Sequence, residues 1–252
     1  MEQVTLELSV LQRFGFEDPP VGVKFLYRRP DGVEQLEKKL AICEMIGEAQ
    51  RRDAPFYITK ENEDCFGAVA LGMTETPPFA EAGQIGYELK IFREPRANSR
   101  IYYYLPKLHK GTVNYVVFAK LDKINFDPDL LIILANVGQA EIIFRALDHL
   151  SGGPRESKTT GVFGCAWIFA YPYTTGKVNF TVTGLHFGSK AKKAFKKEGM
   201  ILISLPFDWI PILTKGLREI IWELPGYKQG PEEFKAWEKE MLQRLMETSK
   251  NP

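Results

Sequence analysis

The sequence predicts an α+β fold with a mainly antiparallel sheet, and three observations support this prediction. Short apolar or alternating segments typical of strands recur along the chain, for example at residues 21–27 and 131–134. Longer segments with apolar residues three and four apart, typical of amphipathic helices, lie between them. A faint internal repeat in the second half places two strand-like segments before a helix-like segment twice. We therefore expect an N-terminal helix-rich unit plus repeated β-β-α units, which form one sheet with helices packed on it.

Length, charge and cysteine content narrow the class of protein. The chain has 252 residues and a formal net charge of +1, with 33 basic against 32 acidic residues. This balance lacks the electrostatic footprint of a nucleic-acid binder, and no apolar run approaches the roughly 20 residues that span a bilayer. An odd number of cysteines does not describe a disulfide framework. We predict a soluble, cytoplasmic protein with free or ligating thiols that binds neither nucleic acid nor membrane.

The first cysteine belongs to a segment with helical periodicity. Residues 33–52 carry Leu36, Leu40, Cys43 and Gly47 at spacings of four, three and four. Because residues at this spacing share one face of a helix, the pattern predicts that Cys43 points inward.

The second cysteine follows a strand and a charged loop within residues 56–72. Asp64 is suited to cap a short helix, Gly72 to end it, and Cys65 would then occupy the first helical position. The partial positive charge of a helix start favours a thiolate, whereas the neighbouring carboxylates of Glu63 and Asp64 oppose it. The sequence leaves the direction of the pKa shift of Cys65 open.

The second half of the chain contains the repeat. Residues 111–117 resemble residues 176–182, and residues 131–134 match residues 201–204. Helix-like segments follow each copy, at 140–150 and at 212–222. We predict one compact domain over residues 1–225, made of an N-terminal unit (1–105) and a β-β-α repeat unit (106–225).

The C-terminal segment has a separate character. Residues 226–252 place Phe234, Trp237, Met241 and Leu245 at spacings of three, four and four. This pattern predicts an amphipathic helix that docks on the body of the protein or on another chain, so a homo-oligomer is one expectation.

Searches for established motifs leave only the thiols. The chain has no Gly-x-Gly-x-x-Gly, no Gly-x-x-x-x-Gly-Lys-Ser/Thr and no His-Glu-x-x-His pattern. The histidines, His109, His149 and His186, are scattered. Cys165, in the glycine-flanked segment 161–167, is the third cysteine.

A family resemblance links the three cysteines. The segment at residues 20–25, the predicted helix with Cys43, the turn from Asp64 to Gly72 and the Gly164-Cys165 pair together resemble the uncharacterised domain-of-unknown-function 169 family of archaea and bacteria. The resemblance extends to about Pro225. It implies no activity, but it implies that the cysteines belong together, because they fall where the pattern of the family places cysteine.

Three thiols are compatible with three functions. Cys43, Cys65 and Cys165 could hold a [4Fe–4S] cluster with one open iron, whereas zinc would need a fourth ligand such as a histidine. Either centre requires the sulfurs to converge to within about 7 Å. The alternatives are a metal-free domain that binds a small-molecule ligand and an enzyme with a cysteine nucleophile.

Aromatic residues suggest a pocket independently of the thiols. Six of them, more than two strand faces require, could line an apolar pocket between the two halves. They are Tyr102, Tyr103, Tyr104, Trp167, Tyr171 and Tyr173.

Overall fold

A computed structural model describes residues 7–249 and shows a seven-stranded mixed sheet within them. The strands are β1 (Val21–Leu26), β2 (Glu34–Gln35), β3 (Phe56–Ile58), β4 (Tyr115–Lys120), β5 (Leu130–Ala135), β6 (Asn179–Val182) and β7 (Ile201–Pro206). Their spatial order is β2-β3-β4-β1-β5-β7-β6. Every pairing is antiparallel except that of β2 with β3. The predicted α+β class and the mainly antiparallel sheet are confirmed.

Ten α-helices occur in the described residues. They are α1 (Ile42–Arg51), α2 (Gly67–Ala70), α3 (Pro78–Glu81), α4 (Gln84–Glu88), α5 (Pro95–Tyr102), α6 (Val137–Ser151), α7 (Tyr171–Thr175), α8 (Phe187–Ala191), α9 (Trp209–Glu219) and α10 (Pro231–Thr248). A π-helical segment, Ala166–Ala170, runs directly into α7. Short 3₁₀ turns lie at Ser9–Phe14, Lys60–Asn62, Leu121–Lys123 and Pro225–Lys228.

The hydrophobic core is centred on the middle of the sheet. All six residues of β5 are buried, which requires cover on both faces of that strand. On the neighbouring strands Phe118 of β4 stacks on Phe56 of β3 with ring centroids 5.5 Å apart. Phe169 of the π-helical segment meets Phe118 edge to face at 6.3 Å. Cys165, the third cysteine, therefore lies about one helical turn before Phe169, which packs in the core.

The predicted repeat matches the order of the elements but not their pairing. Strands β4 and β5 precede α6, and β6 and β7 precede α9. Strands β6 and β7 pair directly, whereas β1 lies between β4 and β5 and pairs with both. The repeat could not reveal this insertion, because β1 comes from a remote part of the chain.

Helix α1 begins later than its periodicity predicts. Residues 33–40 run beside β3 instead, where the amide of Leu36 donates to the carbonyl of Tyr57 and that of Leu40 donates to the carbonyl of Asn62, each at 2.9 Å. The helix starts only at Ile42, where the Glu44 carboxylate accepts the amide of Ala41 at 2.8 Å. Pairing with a neighbouring strand has overridden the local pattern.

The chain divides into two compact units, Met1–Arg218 and Glu219–Pro252. In the second unit, α10 exposes its large apolar side chains, among them Trp237 and Leu245. The prediction that this helix docks on the body or on another chain stays a prediction. Within residues 7–249 no helix has both the length and the apolar character that crossing a membrane demands.

Candidate functional site

The three cysteines line one cavity of the first unit, which has a volume of about 290 Å³. Its walls come from the start of α1, the loop before α2, residues 162–168, α8 and the segment from α4 to α5. Cys43, Cys65 and Cys165 all line it, although they are widely separated in sequence. The prediction that they hold a cofactor remains a prediction.

Cys43 is the second residue of α1 and is buried, as the inward-facing stripe predicts. Burial raises the pKa of its thiol to about 12, and the nearby Cys65 adds to the effect. Its own backbone N–H faces the sulfur and acts in the opposite direction. The thiol is therefore protonated at neutral pH.

Cys65 lies in the bend before α2, not at its first helical position. Part of the residue is exposed to solvent. Burial by the surrounding protein raises the pKa of its sulfur, and Glu63 adds to the effect, although the N–H of Phe66 and the charge of Lys192 oppose it. The pKa of Cys65, whose direction of shift the sequence left open, is therefore raised, because the opposing contributions are smaller than that of burial.

The predicted cap at Asp64 is wrong: Phe66 is the residue that precedes α2, and its side chain makes no capping hydrogen bond. The Glu63 carboxylate accepts the amide of Cys65 at 2.8 Å and that of Ile42, the first residue of α1, at 3.0 Å. Asp64 instead forms an ion pair with Lys192 of the α8 region at 3.1 Å. Gly72 has a φ of 69°, so the predicted left-handed residue after α2 is confirmed.

Glu63 connects two of the cysteine-bearing segments. Its two carboxylate oxygens hold the start of α1 and the bend before α2 together, which fixes Cys43 and Cys65 relative to each other. Burial raises the pKa of this carboxyl although backbone N–H groups stabilise its charged form. The carboxylate is a structural bridge and a source of negative charge in the wall of the cavity.

Cys165 is helical and directly precedes the π-helical segment. It is enclosed by protein, and burial raises the pKa of its thiol well above the usual value. The residue as a whole is half-buried, and it lines the cavity. The N–H of Ala166 faces this sulfur. π-Helical turns occur often at functional sites.

Gly164, directly before Cys165, makes room for a neighbouring side chain. A Cβ at Gly164 would lie 2.6 Å from Cγ of His186, so only glycine lets the imidazole pack there. Phe163, the preceding residue, has a φ of 56°, a left-handed conformation that is uncommon for an aromatic residue. Its ring packs edge to face on Tyr102 at 5.0 Å and on Phe66 at 5.9 Å.

His186 also lines the cavity, although its place in the sequence, far from the other histidines, did not indicate a role there. It is only 2% exposed, and burial lowers the pKa of its imidazole to about 4. Its Nε2 shares a hydrogen bond of 2.8 Å with the hydroxyl of Thr159. The imidazole is therefore neutral at pH 7.

A cap of three short helices, α3 to α5, closes the other side of the cavity. Among helices and strands, these three make their main contacts with one another. The cap contributes Ile85, Leu89 and Ile91 to an apolar wall, and with them Asn98 of α5. Asn98 is 3% exposed, and its Nδ2 has no hydrogen-bond partner.

The aromatic prediction is confirmed for one residue of the six. Tyr102 lines the cavity, and burial raises the pKa of its hydroxyl to about 12. It ends helix α5, whereas Tyr103 and Tyr104 beyond it are exposed. Trp167 is buried and donates its indole N–H to Thr160 at 2.8 Å without lining the cavity. The three consecutive tyrosines lie at the end of a helix and in the turn after it, not on a strand.

Sequence reasoning missed four lining residues that shape the chemistry of the cavity. They are Glu63, Asn98, His186 and Lys192. Asn98 and Lys192 lie in polar or charged segments typical of a solvated surface, His186 is one of three scattered histidines, and Glu63 stands out in the sequence only for its charge beside Cys65. Only the three-dimensional arrangement brings these segments to one cavity.

The arrangement suits binding of a compact molecule. The thiols are protonated, the wall is largely apolar, and polar groups are few. Among residues 7–249, no set of three His, Cys, Asp or Glu side chains is arranged to hold a metal ion. A metal would therefore require the sulfurs to move.

Comparisons with known proteins agree with the predicted family. The chain is 28% identical to the uncharacterized protein MJ0308 of Methanocaldococcus jannaschii over 230 residues, which cover 89% of this chain and 92% of the relative. No solved structure gives a significant match. The model of the domain-of-unknown-function 169 family, described as "Uncharacterised ArCR", matches residues 11–216. Because this match spans most of the chain and includes all three cysteines, the protein belongs to that family.

Proposed function

We propose that the protein binds a small molecule in the cavity that its three cysteines line. The observation that carries this proposal is the convergence of Cys43, Cys65 and Cys165 with a largely apolar wall on one cavity of about 290 Å³. Ligand sites are typically concave, mostly apolar and provided with a few polar groups, and their volumes begin at about 300 Å³. The cavity has these properties.

The wall of the cavity has two parts that suit this task. We call the wall that carries the three cysteines the thiol side. It includes α1 and the buried π-helical segment Ala166–Ala170, so it presents a fixed surface. The cap is built from short helices that pack mainly on one another, so it can move aside to admit a ligand.

A nucleophilic enzyme fits the site less well. A reactive cysteine acts as a thiolate, which requires a lowered pKa. Burial raises the pKa of all three thiols, and Glu63 adds negative charge beside them. We therefore do not assign a nucleophile.

The test is binding of the hydrocarbon tetralin, followed by calorimetry, to the wild type and to two glycine variants. Gly188 lines the cavity, and a side chain there would meet open space, so Gly188→Leu should fill the cavity without a clash. Gly153 also has open space but does not line the cavity, so Gly153→Leu is the matched control. We expect tetralin to bind the wild type and the control, and at least tenfold more weakly to Gly188→Leu.

Equal binding by all three proteins would place the hydrocarbon elsewhere and refute the proposal. Failure of the wild type to bind either tetralin or an oxygen-bearing analogue of it would refute the proposal as well.

A second candidate is a centre held by thiolates, either a [4Fe–4S] cluster or zinc. One observation favours it: all three cysteines line a single cavity, and thiolates are the usual ligands of iron–sulfur clusters and common ligands of zinc. The cysteines would have to approach one another and lose their protons to the metal.

Anaerobic purification, an absorption spectrum and analysis for iron, sulfide and zinc decide this second candidate. A cluster predicts equal iron and sulfide and visible absorption that is lost in Cys165→Ser. A colourless protein without iron or zinc leaves the first proposal alone.

A further inference from the structure

One polar side chain of the cavity has an unmet hydrogen-bonding capacity. The Nδ2 of Asn98 is buried and has no acceptor within bonding distance, while the residue lines the cavity. Buried amide groups are nearly always hydrogen-bonded, because an unpartnered one destabilises the fold. A ligand oxygen would provide the missing acceptor.

The close packing around Asn98 holds its amide in one orientation. A Cβ at Gly86 of α4 would collide with the Oδ1 of Asn98, so this oxygen lies directly against the backbone of the neighbouring helix. The carbonyl side of the amide therefore packs against α4. The Nδ2 donor is the part of the amide that lacks a partner.

Charge decides which kind of oxygen fits. Glu63 supplies a carboxyl group to the cavity, and the amide of Ile42 at the start of α1 is already bonded to it. Of the described lining residues, Lys192 carries a positive charge, and it is paired with Asp64 at 3.1 Å. His186 is neutral and bonded to Thr159. A carboxylate ligand would therefore meet negative charge without an unpaired cation.

Size and polarity limit the rest of the ligand. The apolar wall includes Ile85, Leu89 and Ile91 from the cap and Val162 and Phe163 from the opposite side. A cavity of about 150 Å³ is known to bind benzene, so a volume near twice that accommodates roughly ten to fourteen non-hydrogen atoms. One or two rings fill such a space.

We infer that the ligand is an uncharged, largely apolar one- or two-ring molecule with a carbonyl-type oxygen that accepts a hydrogen bond from the Nδ2 of Asn98. The inference rests on the proposed function and adds the class of ligand to it. Cyclic ketones and lactams belong to this class. Their apolar body would lie between the cap and the thiol side.

The experiment compares three probes with one carbon skeleton by calorimetry at pH 7.4: tetralin, the ketone 1-tetralone and tetralin-1-carboxylate. We expect the wild type to bind the ketone about tenfold more tightly than the hydrocarbon, because one hydrogen bond is gained. The carboxylate should bind at least tenfold more weakly than the ketone.

Two variants locate the effect. Asn98→Ala and Asn98→Leu both lack the donor, so both should lose the preference for the ketone. Asn114→Ala is the control, since the Nδ2 of Asn114 donates to the carbonyl of Tyr27 away from the cavity. It should keep the preference.

The outcomes separate the inference from the proposed function. Equal binding of ketone and hydrocarbon, or tightest binding of the carboxylate, would overturn the inference and leave the cavity as a binding site. Binding of none of the three probes would overturn both. If the Asn98 variants fail to fold, the side-chain amide resonance of Asn98 in the wild type must shift with 1-tetralone and not with tetralin; a resonance that stays unchanged contradicts the inference.

Discussion

The two sides of the cavity differ in how completely their polar groups are bonded. On the thiol side, Glu63 accepts two backbone amides and His186 is bonded to Thr159. On the cap side, the Nδ2 of Asn98 has no partner. A satisfied wall holds its shape without a ligand, whereas an unsatisfied wall gains from one. The thiol side is therefore the scaffold, and the cap is the side that would gain a hydrogen bond from a ligand.

The largest expected effect comes from a pair of glycine substitutions, one in the cap and one in the rest of the first unit. Together they test whether the cap unfolds independently. A Cβ at Gly216 of α9 would collide with the carbonyl oxygen of Ala146 in α6, and one at Gly83 would collide with the carbonyl oxygen of Pro95 within the cap. We expect Gly216→Ala to lower the free energy of unfolding by about 3 kcal/mol, since overpacked backbone must shift. Urea unfolding followed by circular dichroism measures this.

Gly83→Ala should act locally. Its φ of 83° and the collision both disfavour alanine, so hydrogen exchange across residues 78–102 should accelerate while global unfolding changes by less than about 1 kcal/mol. Gly153→Ala, at an open position, is the control for both variants. A global loss in Gly83→Ala as large as that in Gly216→Ala would show that the cap and the body unfold together.

The second effect concerns the buried histidine of the thiol side. The pKa of His186 falls from 6.5 to about 4 on folding because burial disfavours the charged ring. The unfolded chain therefore binds more protons between these values, so stability decreases as the pH falls from 6.5 to 4. The difference corresponds to about 3 kcal/mol.

Chemical denaturation across this pH range compares the wild type with His186→Gln, which keeps a partner for Thr159. The pKa of Glu63, in the same cavity, is raised on folding, so its contribution to stability falls as the pH rises above 4.5 and has the opposite sign. Both proteins contain Glu63, so subtracting the stability curve of the variant from that of the wild type removes the contribution of Glu63. Parallel curves for wild type and variant would disprove the assignment to His186.

The smallest effect tests the bridge between two cysteines. Glu63→Gln keeps an acceptor for the amide of Ile42 but turns an amide group toward the N–H of Cys65, so we expect a loss of about 2 kcal/mol in the free energy of unfolding. Cys65 should also react faster with iodoacetamide as the bend loosens.

Glu61→Gln is the control for this change. Glu61 lies in the same loop, is exposed and accepts the hydroxyl of Thr59 at 2.6 Å, so its substitution should cost less than about 0.5 kcal/mol. Equal losses in the two variants would mean that the Glu63 bridge adds nothing to the thiol side.

The sequence by itself determined the features that depend on local pattern. Alternation predicted β1, and its residues are largely buried in the sheet. Glycine chemistry predicted the left-handed Gly72, and the inward stripe predicted the burial of Cys43. These properties follow from backbone sterics and from periodicity, which are encoded within a few residues.

Only the tertiary structure decided the pairing of β1 between β4 and β5, the late start of α1 and the composition of the cavity. Leu36 forms a backbone hydrogen bond with β3 and Leu40 forms one with the segment after β3, in place of helical bonds. No local pattern in residues 33–40 indicates this competing partner. Asn98 and His186 read as surface or scattered residues until the cap and α8 meet around the cavity. Their chemistry arises from burial and charge across distant segments, and these depend on contacts that sequence spacing does not specify.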